Sequence, residues 1–419
     1  MRYIIIFLFL TAATTFALGQ NRISGKIIDR ETLQPLAFVQ IRALNARVGT
    51  LSNEEGVFVL KLNTSAPDTI LFSHIGYEVV KAPLSGFVEE ETVTIRLQEK
   101  IVSLAEVVIH PVEAEDLLRQ ALAAIPENYN HNPLNMQGFY REMIRKDGQP
   151  AQLSEAVVDI YKVPNGKEET DENRLRLLRG RSFTDSALLG KIKVNIGGGG
   201  PKNITGRAVT GETMGENFLD PKEFKHYEYT LSGVSTISER MVYEIAFDQR
   251  EDIGRRLYQG KVYLDVKTLA FVSIDYKMSE KGKKFPLIRA LGFKAAAALT
   301  LLRTMGVRLD FNREAGHTDY VYDRGKWYLN YSSIDLGALL TTKGKMDMPE
   351  SLNIGVSVEM LITQMEPGKA NRFADSELIN DEVALKEQVG EFDETFWENY
   401  NYFHPGVKLK EAVEKIKGQ

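Results

Sequence analysis

The feature that most constrains the fold is a period-two alternation of apolar and polar residues in the second half of the chain. It is clearest in four short segments separated by turn residues, at 227–231, 241–247, 260–265 and 270–276. Such alternation places apolar side chains on one face of a strand and polar side chains on the other. Similar segments are found at 138–143, 153–162, 307–311, 318–322, 326–332 and 353–362. The pattern predicts a large antiparallel β domain over residues 135–370, in which the charge-dense stretch 164–185 is a solvated loop or hairpin.

Residues 21–110 contain a second series of short apolar segments. They are found at 23–28, 38–43, 57–62, 68–74 and 93–97, and polar turn residues such as those at 52–56 separate them. Strands at intervals of about 8–12 residues are typical of a β-sandwich rather than of alternating strands and helices. The N-terminal part is therefore predicted to be a small, separate, all-β module.

Eight residues of this module carry a family resemblance through their order along the chain: Gly25, Asp29, Pro35, Leu36, Gly56, Phe58, Gly76 and Tyr77. Together with their neighbours they resemble the carboxypeptidase-regulatory-like domain over about residues 21–110. The resemblance implies a transthyretin-like, seven-stranded β-sandwich of the kind common at the N-terminus of exported proteins of Gram-negative bacteria. In carboxypeptidases this domain is an accessory beside a zinc enzyme, so the resemblance implies no activity. From the residues alone, Gly56 and Gly76 permit turns with positive φ, and Pro35 precedes a strand.

Residues 262–272 predict a strand, a turn that begins at Asp265, and a second strand. This hairpin resembles those in the curved half-barrel sheets of periplasmic proteins that carry lipids and lipoproteins. The predicted fold class is therefore mainly β with some α. A seven-stranded N-terminal sandwich is followed by a larger antiparallel, half-barrel-like sheet with packed helices. The chain after the sandwich also resembles that of other exported proteins with the same N-terminal domain, which names no activity.

Three segments have helical character. Residues 112–126 place Leu117, Leu118 and Ala121 on one stripe and predict a linker helix. A second helix is predicted near 286–305, with Pro286 in its first turn. The tail, 375–419, is predicted to be helical around an aromatic cluster of Phe396, Trp397, Tyr400, Tyr402 and Phe403. We expect this cluster to pack the tail onto the β domain, with partner docking as the alternative.

Residues 1–19 predict an export signal. Met1 and Arg2 give a basic start, residues 3–18 carry no charge, and Ala17 and Gly19 suit a signal peptidase. A spanning helix needs about 20 apolar residues, more than this stretch supplies before polar residues follow. We therefore expect cleavage and export, and place the mature protein in the periplasm or at the periphery of the outer membrane.

Composition excludes several classes of site. Cysteine is absent, which excludes disulfides, thiolate metal sites and a cysteine nucleophile. The formal charge of −5 argues against a nucleic-acid-binding surface. The six histidines are too far apart for the spacing of zinc enzymes: His74, His110, His131, His226, His317 and His404. The glycine run at 196–200 has no phosphate-binding continuation and predicts a surface loop. We predict no catalytic residue, no cofactor and no metal.

One segment is basic in this acidic chain. Residues 281–313 hold eight Lys or Arg residues and one Asp. Through Lys283, Lys284 and Arg289 the segment could make peripheral contact with an anionic membrane surface. The alternative is a helix packed on the sheet, which the Ala- and Leu-rich centre at 295–302 favours.

These observations predict a non-enzymatic, exported envelope protein that acts as a binding or partner-docking module, with a lipid or an outer-membrane component as its ligand. Two alternatives stay open: a hydrolase that uses carboxylates, and an accessory component of an outer-membrane transport system. A cavity lined by Leu, Phe and Ala would indicate lipid cargo. Two converging carboxylates with perturbed pKa values would favour the hydrolase.

Overall fold

The computed structural model consists mainly of strands. It describes residues 21–62, 66–87, 91–100, 113–130, 132–163, 173–189, 218–285, 303–304, 306–342, 350–366, 368, 370–380, 383–389, 397, 400–406, 410–411 and 413–414. The predicted signal at 1–19 and the glycine run at 196–200 lie outside the described residues. So does the helix predicted near 286–305, apart from residues 303 and 304.

Seven strands form in the N-terminal part: β1 (Asn21–Asp29), β2 (Gln40–Ala43), β3 (Val48–Leu51), β4 (Val57–Leu62), β5 (Thr69–Ser73), β6 (Val80–Pro83) and β7 (Thr92–Leu97). In a three-stranded sheet, β1 lies between β4 and β7, antiparallel to β4 and parallel to β7. The other four strands pair in the order β3-β2-β5-β6, all antiparallel. A short 3-10 turn, Leu84–Gly86, follows β6.

The two groups of strands enclose one apolar core, which includes Ile27 of β1, Phe58 of β4 and Phe72 of β5. However, the four-stranded group continues into the large sheet through the pair Val48–Gln364. The predicted separate seven-stranded sandwich is therefore not confirmed. The physical reason is that the strand containing Gln364 extends beyond its pairing with its neighbour, which leaves backbone groups free to pair with β3.

Ten longer strands form the large sheet: β8 (Leu134–Lys146), β9 (Gln149–Lys162), β10 (Arg174–Thr184), β11 (Tyr227–Ile237), β12 (Arg240–Gln249), β13 (Tyr258–Asp265), β14 (Phe271–Met278), β15 (Arg308–Asp323), β16 (Lys326–Thr341) and β17 (Ser351–Glu366). Their order is β11-β12-β13-β14-β15-β16-β17-β8-β9-β10, and neighbours are antiparallel. The sheet curls into a half-barrel, as the sequence predicted.

One sequence prediction about this sheet is wrong in detail. Segments 307–311 and 318–322 are not separate strands, because β15 pairs with β16 along nearly its whole length. For the charge-dense stretch 164–185 the sequence left a solvated loop or a hairpin open, and the structure favours the hairpin, because its second half forms β10 and pairs antiparallel with β9. Its charges do not prevent pairing, because Arg176 contacts Asp159 at 2.8 Å and Arg181 contacts Glu155 at 2.5 Å, both on β9.

Helices are few among the described residues: α1 (Ala114–Ala123), α2 (Ile125–Asn128), α3 (Ser186–Leu189) and α4 (Leu385–Gln388), with 3-10 turns at Phe224–His226 and Asp375–Glu377. The predicted linker helix is thus two pieces, α1 and α2. Packed helices are not a general feature, since α1 alone exceeds one turn in the described part of the chain. In the described part of the tail, short helical segments are found at Asp375–Glu377, Leu385–Gln388, 410–411 and 413–414, whereas 400–406 has no regular structure.

One face of the large sheet packs into the main apolar core, and the other carries charged residues together with a smaller apolar cluster that includes Phe139, Val157 and Leu361. The apolar face buries Tyr140, Met360 and Phe271 in the main core, where α1 adds Leu117 and Leu118. The helix begins after Glu113 and has Glu115 and Asp116 in its first turn, where the helix dipole favours negative charge. None of the helices within the described residues has the length and apolar character needed to cross a bilayer.

Candidate functional site

A row of charged residues crosses the face of the large sheet opposite the apolar core. Its members lie directly opposite one another on eight successive strands, from β13 to β10: Lys261, Asp275, His317, Ser333, Glu359, Arg141, Glu155 and Arg181. We call this set the charged row and its face the charged face. Side chains directly opposite on neighbouring strands are close enough to interact. The sheet register therefore connects residues that are far apart in sequence.

One end of the charged row is a buried ion-pair network. Glu155 lies between Arg141, at 2.8 Å, and Arg181, at 2.5 Å. Burial alone would raise the pKa of Glu155, but the two guanidinium groups outweigh it and hold that pKa below its usual value. Arg141 also lies 3.4 Å from Glu359 and donates a 2.7 Å hydrogen bond to the carbonyl of Phe403. Each buried charge is thus compensated, which is the condition for burying it.

The other end of the charged row is centred on His317. Its Nδ1 lies 2.5 Å from an oxygen of Asp275, and its Nε2 lies 2.8 Å from an oxygen of Asp319. Burial would lower the pKa of His317, but the two carboxylates raise it well above its usual value. The ring is therefore a fixed cation at neutral pH. Since a carboxylate faces each nitrogen, the ring has no free nitrogen with which to act as a general base.

The centre of the charged row is also satisfied internally. The hydroxyl of Tyr331, on β16, donates a 2.8 Å hydrogen bond to Glu359. Burial, together with the charge of Glu359, raises the pKa of Tyr331 well above its usual value. Tyr331 therefore stays neutral and holds the second carboxylate that contacts Arg141.

Residues 400–406 lie across the charged face, and we call them the C-terminal strap. Asn401 makes two 2.8 Å hydrogen bonds with the backbone of Lys61, accepting from its N–H and donating to its C=O. Because Lys61 is on β4, the outer strand of the three-stranded sheet, these bonds satisfy an exposed sheet edge. Phe403 accepts the hydrogen bond from Arg141. The strap therefore joins the N-terminal part to the large sheet.

The predicted packing of the aromatic cluster is confirmed for its described members. Trp397 and Phe403 are buried with Phe139 and Tyr331. The guanidinium of Arg181 lies 4.6 Å from the centre of the Trp397 ring, within cation–π range. Phe396 lies outside the described residues.

A cavity of about 1350 Å³ lies between the charged face, the strap and the loop at residues 53–55. Its apolar lining includes Phe38, Met143, Tyr331, Ile334 and Phe403. Its charged lining includes Glu54, Arg141, Arg145, Lys277, Arg313, His317, Asp335 and Glu359. The cavity expected for lipid cargo, lined by Leu, Phe and Ala, is not what this part of the structure contains. The lining is mixed.

The eight residues singled out by the sequence lie away from this cavity, in the N-terminal part. Gly25 allows close packing, because a Cβ there would lie 2.5 Å from the Val93 carbonyl oxygen. Gly56 has φ +75°, and a Cβ there would lie 2.3 Å from the carbonyl oxygen of Ile27. Phe58 is fully buried. Asp29 accepts backbone hydrogen bonds from Glu31 and Thr32, which lower its pKa.

The other predicted residues also act locally. Leu36 donates its N–H to the carbonyl of Ile27, and Pro35 forms an isolated antiparallel β-bridge with Ile28. Gly76 has φ +79° at the turn before Tyr77. Burial and the neighbouring Asp29 raise the pKa of Tyr77 to about 12.

The remaining chemical predictions concern histidines and the basic segment. Among the described residues, no group of three or more His, Asp or Glu side chains is arranged so that it could hold a metal ion. His110 and His131 lie outside these residues. In the basic segment, Lys281 lies 3.2 Å from Asp248 and Lys283 lies 2.5 Å from Glu280. Lys284 is exposed, and Arg289 lies outside the described residues, so membrane contact there stays a prediction.

Sequence reasoning missed the charged row and the cavity. Parts of the strands show the signal of polar residues in alternate positions, for example Ser333 and Asp335 on β16. The pattern shows that such residues share a face, but not which residue of another strand lies opposite. Only the register brings His317 between Asp275 and Ser333.

Comparisons with known proteins bear on part of the chain. No curated protein matches it. Among solved structures, a LolA superfamily protein from Nitrosomonas europaea is similar at 9% identity and a TM-score of 0.20, over 65% of this chain and 100% of that one. A DUF1329 family protein from Desulfovibrio piger is similar at 9% identity and a TM-score of 0.23, over 64% of this chain and 100% of that one. Scores this low carry no argument about fold or function.

The family comparison is specific. Residues 23–109 match the family model described as a CarboxypepD_reg-like domain. The match covers the residues from which the resemblance was inferred. The chain therefore carries a carboxypeptidase-regulatory-like domain at its N-terminal end.

Proposed function

We propose that the chain is a non-enzymatic, exported binding protein whose ligand occupies the cavity between the charged face, the loop at 53–55 and the C-terminal strap. The observation that carries this proposal is the cavity of about 1350 Å³, which three separate parts of the chain line. Sites for small molecules usually enclose about 300–1,000 Å³. This cavity therefore has room for a larger ligand, such as a lipid or a short segment of an envelope protein.

The cavity floor favours binding over catalysis. A general base needs a lone pair that is free to accept a proton, and a nucleophile needs such a base beside it. Among the described floor residues, His317 has a carboxylate facing each nitrogen, and Glu359 accepts a hydrogen bond from Tyr331 and lies 3.4 Å from Arg141. Asp275 and Asp319 lie close together, as the hydrolase alternative required, but both contact the His317 cation. Burial would raise the pKa of Asp319, yet the His317 charge keeps it below its usual value.

The lining indicates the character of the ligand. Phe38 and Phe403 stack with ring centres 5.9 Å apart, and Tyr331 lies 5.9 Å from Phe38, which makes an aromatic wall. Opposite charges and hydrogen-bonding groups cover the floor. A ligand with an apolar body and a charged group satisfies both parts. A lipid or an outer-membrane component with these properties is the finer form of the proposal.

The same proposal assigns roles to the units predicted from the sequence. The domain at 21–110 supplies Phe38 and the loop at 53–55, the β domain at 135–370 supplies the floor, and the tail at 375–419 supplies the strap. The segment 112–126 links the first two units. Removal of residues 1–19 on export delivers the protein to the periplasm or the periphery of the outer membrane, where Lys283, Lys284 and Arg289 contact anionic lipid.

The proposal is tested with 8-anilinonaphthalene-1-sulfonate, a fluorescent probe that has an aromatic body and one negative charge. We expect saturable fluorescence enhancement with the full chain. Ser333→Trp places an indole on the cavity floor, and we expect it to weaken probe binding at least about tenfold, a loss of about 1.4 kcal/mol. Leu339→Trp is the matched control, because Leu339 lies on the same strand, is 39% exposed and does not line the cavity.

Circular dichroism and urea unfolding establish that each tryptophan variant is folded. Equal probe affinity in the wild type, Ser333→Trp and Leu339→Trp would place the binding elsewhere and contradict the proposal. The absence of saturable binding to the wild type would contradict it directly.

A further inference from the structure

Beside the charged row, a second set of directly opposed residues crosses four neighbouring strands of the same sheet. Arg313 on β15 lies opposite Gly337 on β16, which lies opposite Gly355 on β17, which lies opposite Arg145 on β8. Both arginines line the cavity. Two cationic side chains thus flank a pair of residues that have no side chain.

The glycines leave a trough over which the arginine side chains extend. A Cβ on Gly355 would lie 3.5 Å from Nη2 of Arg313 and 3.5 Å from Cβ of Arg145. A Cβ on Gly337 would lie 3.0 Å from Cβ of Arg313. The Arg313 guanidinium therefore reaches two strands across, to the strand beside Arg145. Any larger residue at position 355 would occupy this path.

Hydrogen bonds hold both guanidinium groups in the trough. Arg313 donates to Asp335 at 2.9 Å, and Arg145 donates to the hydroxyl of Ser357 at 3.1 Å. Asp335 and Ser357 lie directly opposite each other, so the two arginines lean toward the same point. Lys277, also in the cavity lining, lies on the same side of the sheet opposite Ala315. Arg145, Arg313 and Lys277 thus place three cations on this part of the face, where Asp335 is the carboxylate that contacts Arg313.

We propose that Arg145 and Arg313, above the floor of Gly337 and Gly355, bind a phosphate group, that of a phosphate monoester or of inorganic phosphate, within the cavity. This inference rests on the proposed function and names the charged group of its ligand. Guanidinium groups bind phosphate oxygens through paired, charge-assisted hydrogen bonds, and a floor without side chains lets those oxygens approach. Met143 and Ala315, which lie opposite Ser357 and Asp335 on the same face and also line the cavity, contact the apolar remainder of the ligand. The phosphate belongs either to a lipid head group or to free inorganic phosphate.

The experiment is isothermal titration calorimetry on the full chain with three soluble ligands: dihexanoyl phosphatidic acid, dihexanoylglycerol and inorganic phosphate. The double variant Arg145→Gln/Arg313→Gln is expected to bind the phosphatidic acid at least about tenfold more weakly than the wild type, because charge-assisted hydrogen bonds are lost. Its affinity for the uncharged dihexanoylglycerol is expected to be unchanged. Arg96→Gln, which removes an exposed arginine of β7 outside the cavity, is the matched control and is expected to leave all affinities unchanged.

The inorganic phosphate arm identifies the source of the group. Weak binding of free phosphate with strong binding of the phosphatidic acid indicates a lipid head group, whereas equal affinities indicate free phosphate, and both support the site. Gly355→Leu provides a second variant that fills the trough and keeps both arginines, and it is expected to weaken phosphate binding as well. Equal affinity of the wild type and the double variant for the phosphatidic acid would overturn the inference. The proposed function would then still stand if Ser333→Trp abolished probe binding.

Discussion

Neighbouring residues of strand β8 face opposite sides of the large sheet and meet different environments. Tyr140 and Ile144 are buried in the main apolar core, whereas Arg141 and Arg145 belong to the charged face and line the cavity. Strand β17 shows the same division, with Met360 in the core and Glu359 in the charged row. The two faces thus share their backbone and their hydrogen bonds, so their difference is one of side chains alone.

The comparison separates two kinds of stabilisation. Burial of apolar surface is not directional and does not depend on pH. The charged face depends on particular partners, because a buried charge that loses its partner is costly. We therefore expect substitutions on the apolar face to lower the free energy of unfolding by an amount that does not vary with pH. Substitutions on the charged face are expected to lower it by an amount that varies with pH, because the groups of that face titrate.

The largest expected effect is on the apolar face. Phe271 is fully buried in the main core. Phe271→Ala removes its ring and leaves a cavity, and is expected to lower the free energy of unfolding by about 4 kcal/mol. Urea unfolding at pH 5 and at pH 8 should give the same difference from the wild type.

Leu339→Ala is the control for this prediction, since Leu339 is an apolar residue with 39% exposure on β16. It is expected to change the free energy of unfolding by no more than about 0.5 kcal/mol. A loss in Phe271→Ala that varied strongly with pH would contradict the division between the faces.

The next largest effect is on the charged face. Glu155→Gln removes the charge that compensates Arg141 and Arg181, and is expected to lower the free energy of unfolding at pH 7 by about 3 kcal/mol. The pKa of Glu155 lies below its usual value of 4.5 in the folded protein. Its contribution is therefore complete above about pH 4.5 and is lost as the pH falls through the folded-state pKa. The difference in the free energy of unfolding between Glu155→Gln and the wild type should therefore shrink as the pH falls through that pKa.

Asp159→Asn is the control for Glu155→Gln, because the ion pair of Asp159 with Arg176 is partly solvent-accessible, whereas that of Glu155 with Arg141 is buried. Such pairs contribute about 0–1 kcal/mol. A loss of similar size in both variants would show that burial of the charges in the row has no special effect.

Much of the fold could be predicted from alternation, because the positions of the apolar residues within a strand show which of its faces is buried. The segment at 241–247 lies within β12, and that at 270–276 lies within β14 apart from its first residue. At β10 the sequence left a solvated loop and a hairpin as alternatives, because its arginines made the strand resemble a loop. The charges of Arg176 and Arg181 are compensated by residues of β9, and that information lies outside the segment itself.

The candidate site could not be predicted for a related reason. His317 was rejected as a metal ligand because it has no partner at the spacing of a zinc motif. One of its two partners, Asp319, is on the same strand, but the other, Asp275, is 42 residues away along the chain and reaches it through the pairing of β14 with β15. Asn401 likewise contacts Lys61 across 340 residues. Spacing rules detect sites built within one helix or loop, whereas this site is built across a sheet.

The smallest expected effect is that of His317→Gln on the free energy of unfolding, and its pH dependence is opposite in sign to that of Glu155→Gln. The pKa of His317 is raised well above 6.5, because Asp319 and Asp275 outweigh the effect of burial. Its contribution is therefore complete below about pH 6.5 and is lost as the pH rises through the folded-state pKa. His317→Gln is expected to lower the free energy of unfolding by about 2 kcal/mol at pH 5.5. At a pH above the folded-state pKa the difference should be much smaller.

His404 gives the opposite sign and serves as the control. Burial, followed by the charge of Lys410, lowers its pKa to about 4. Between about pH 6.5 and pH 4 the unfolded chain therefore binds a proton that the folded chain does not, and the wild type loses stability as the pH falls. His404→Gln removes this loss, so its stability relative to the wild type should rise as the pH falls, whereas that of His317→Gln should rise as the pH rises. Urea unfolding over this pH range measures both trends. If the stabilities of both variants relative to the wild type changed with pH in the same direction, the ion pairs of His317 would not explain its pH dependence.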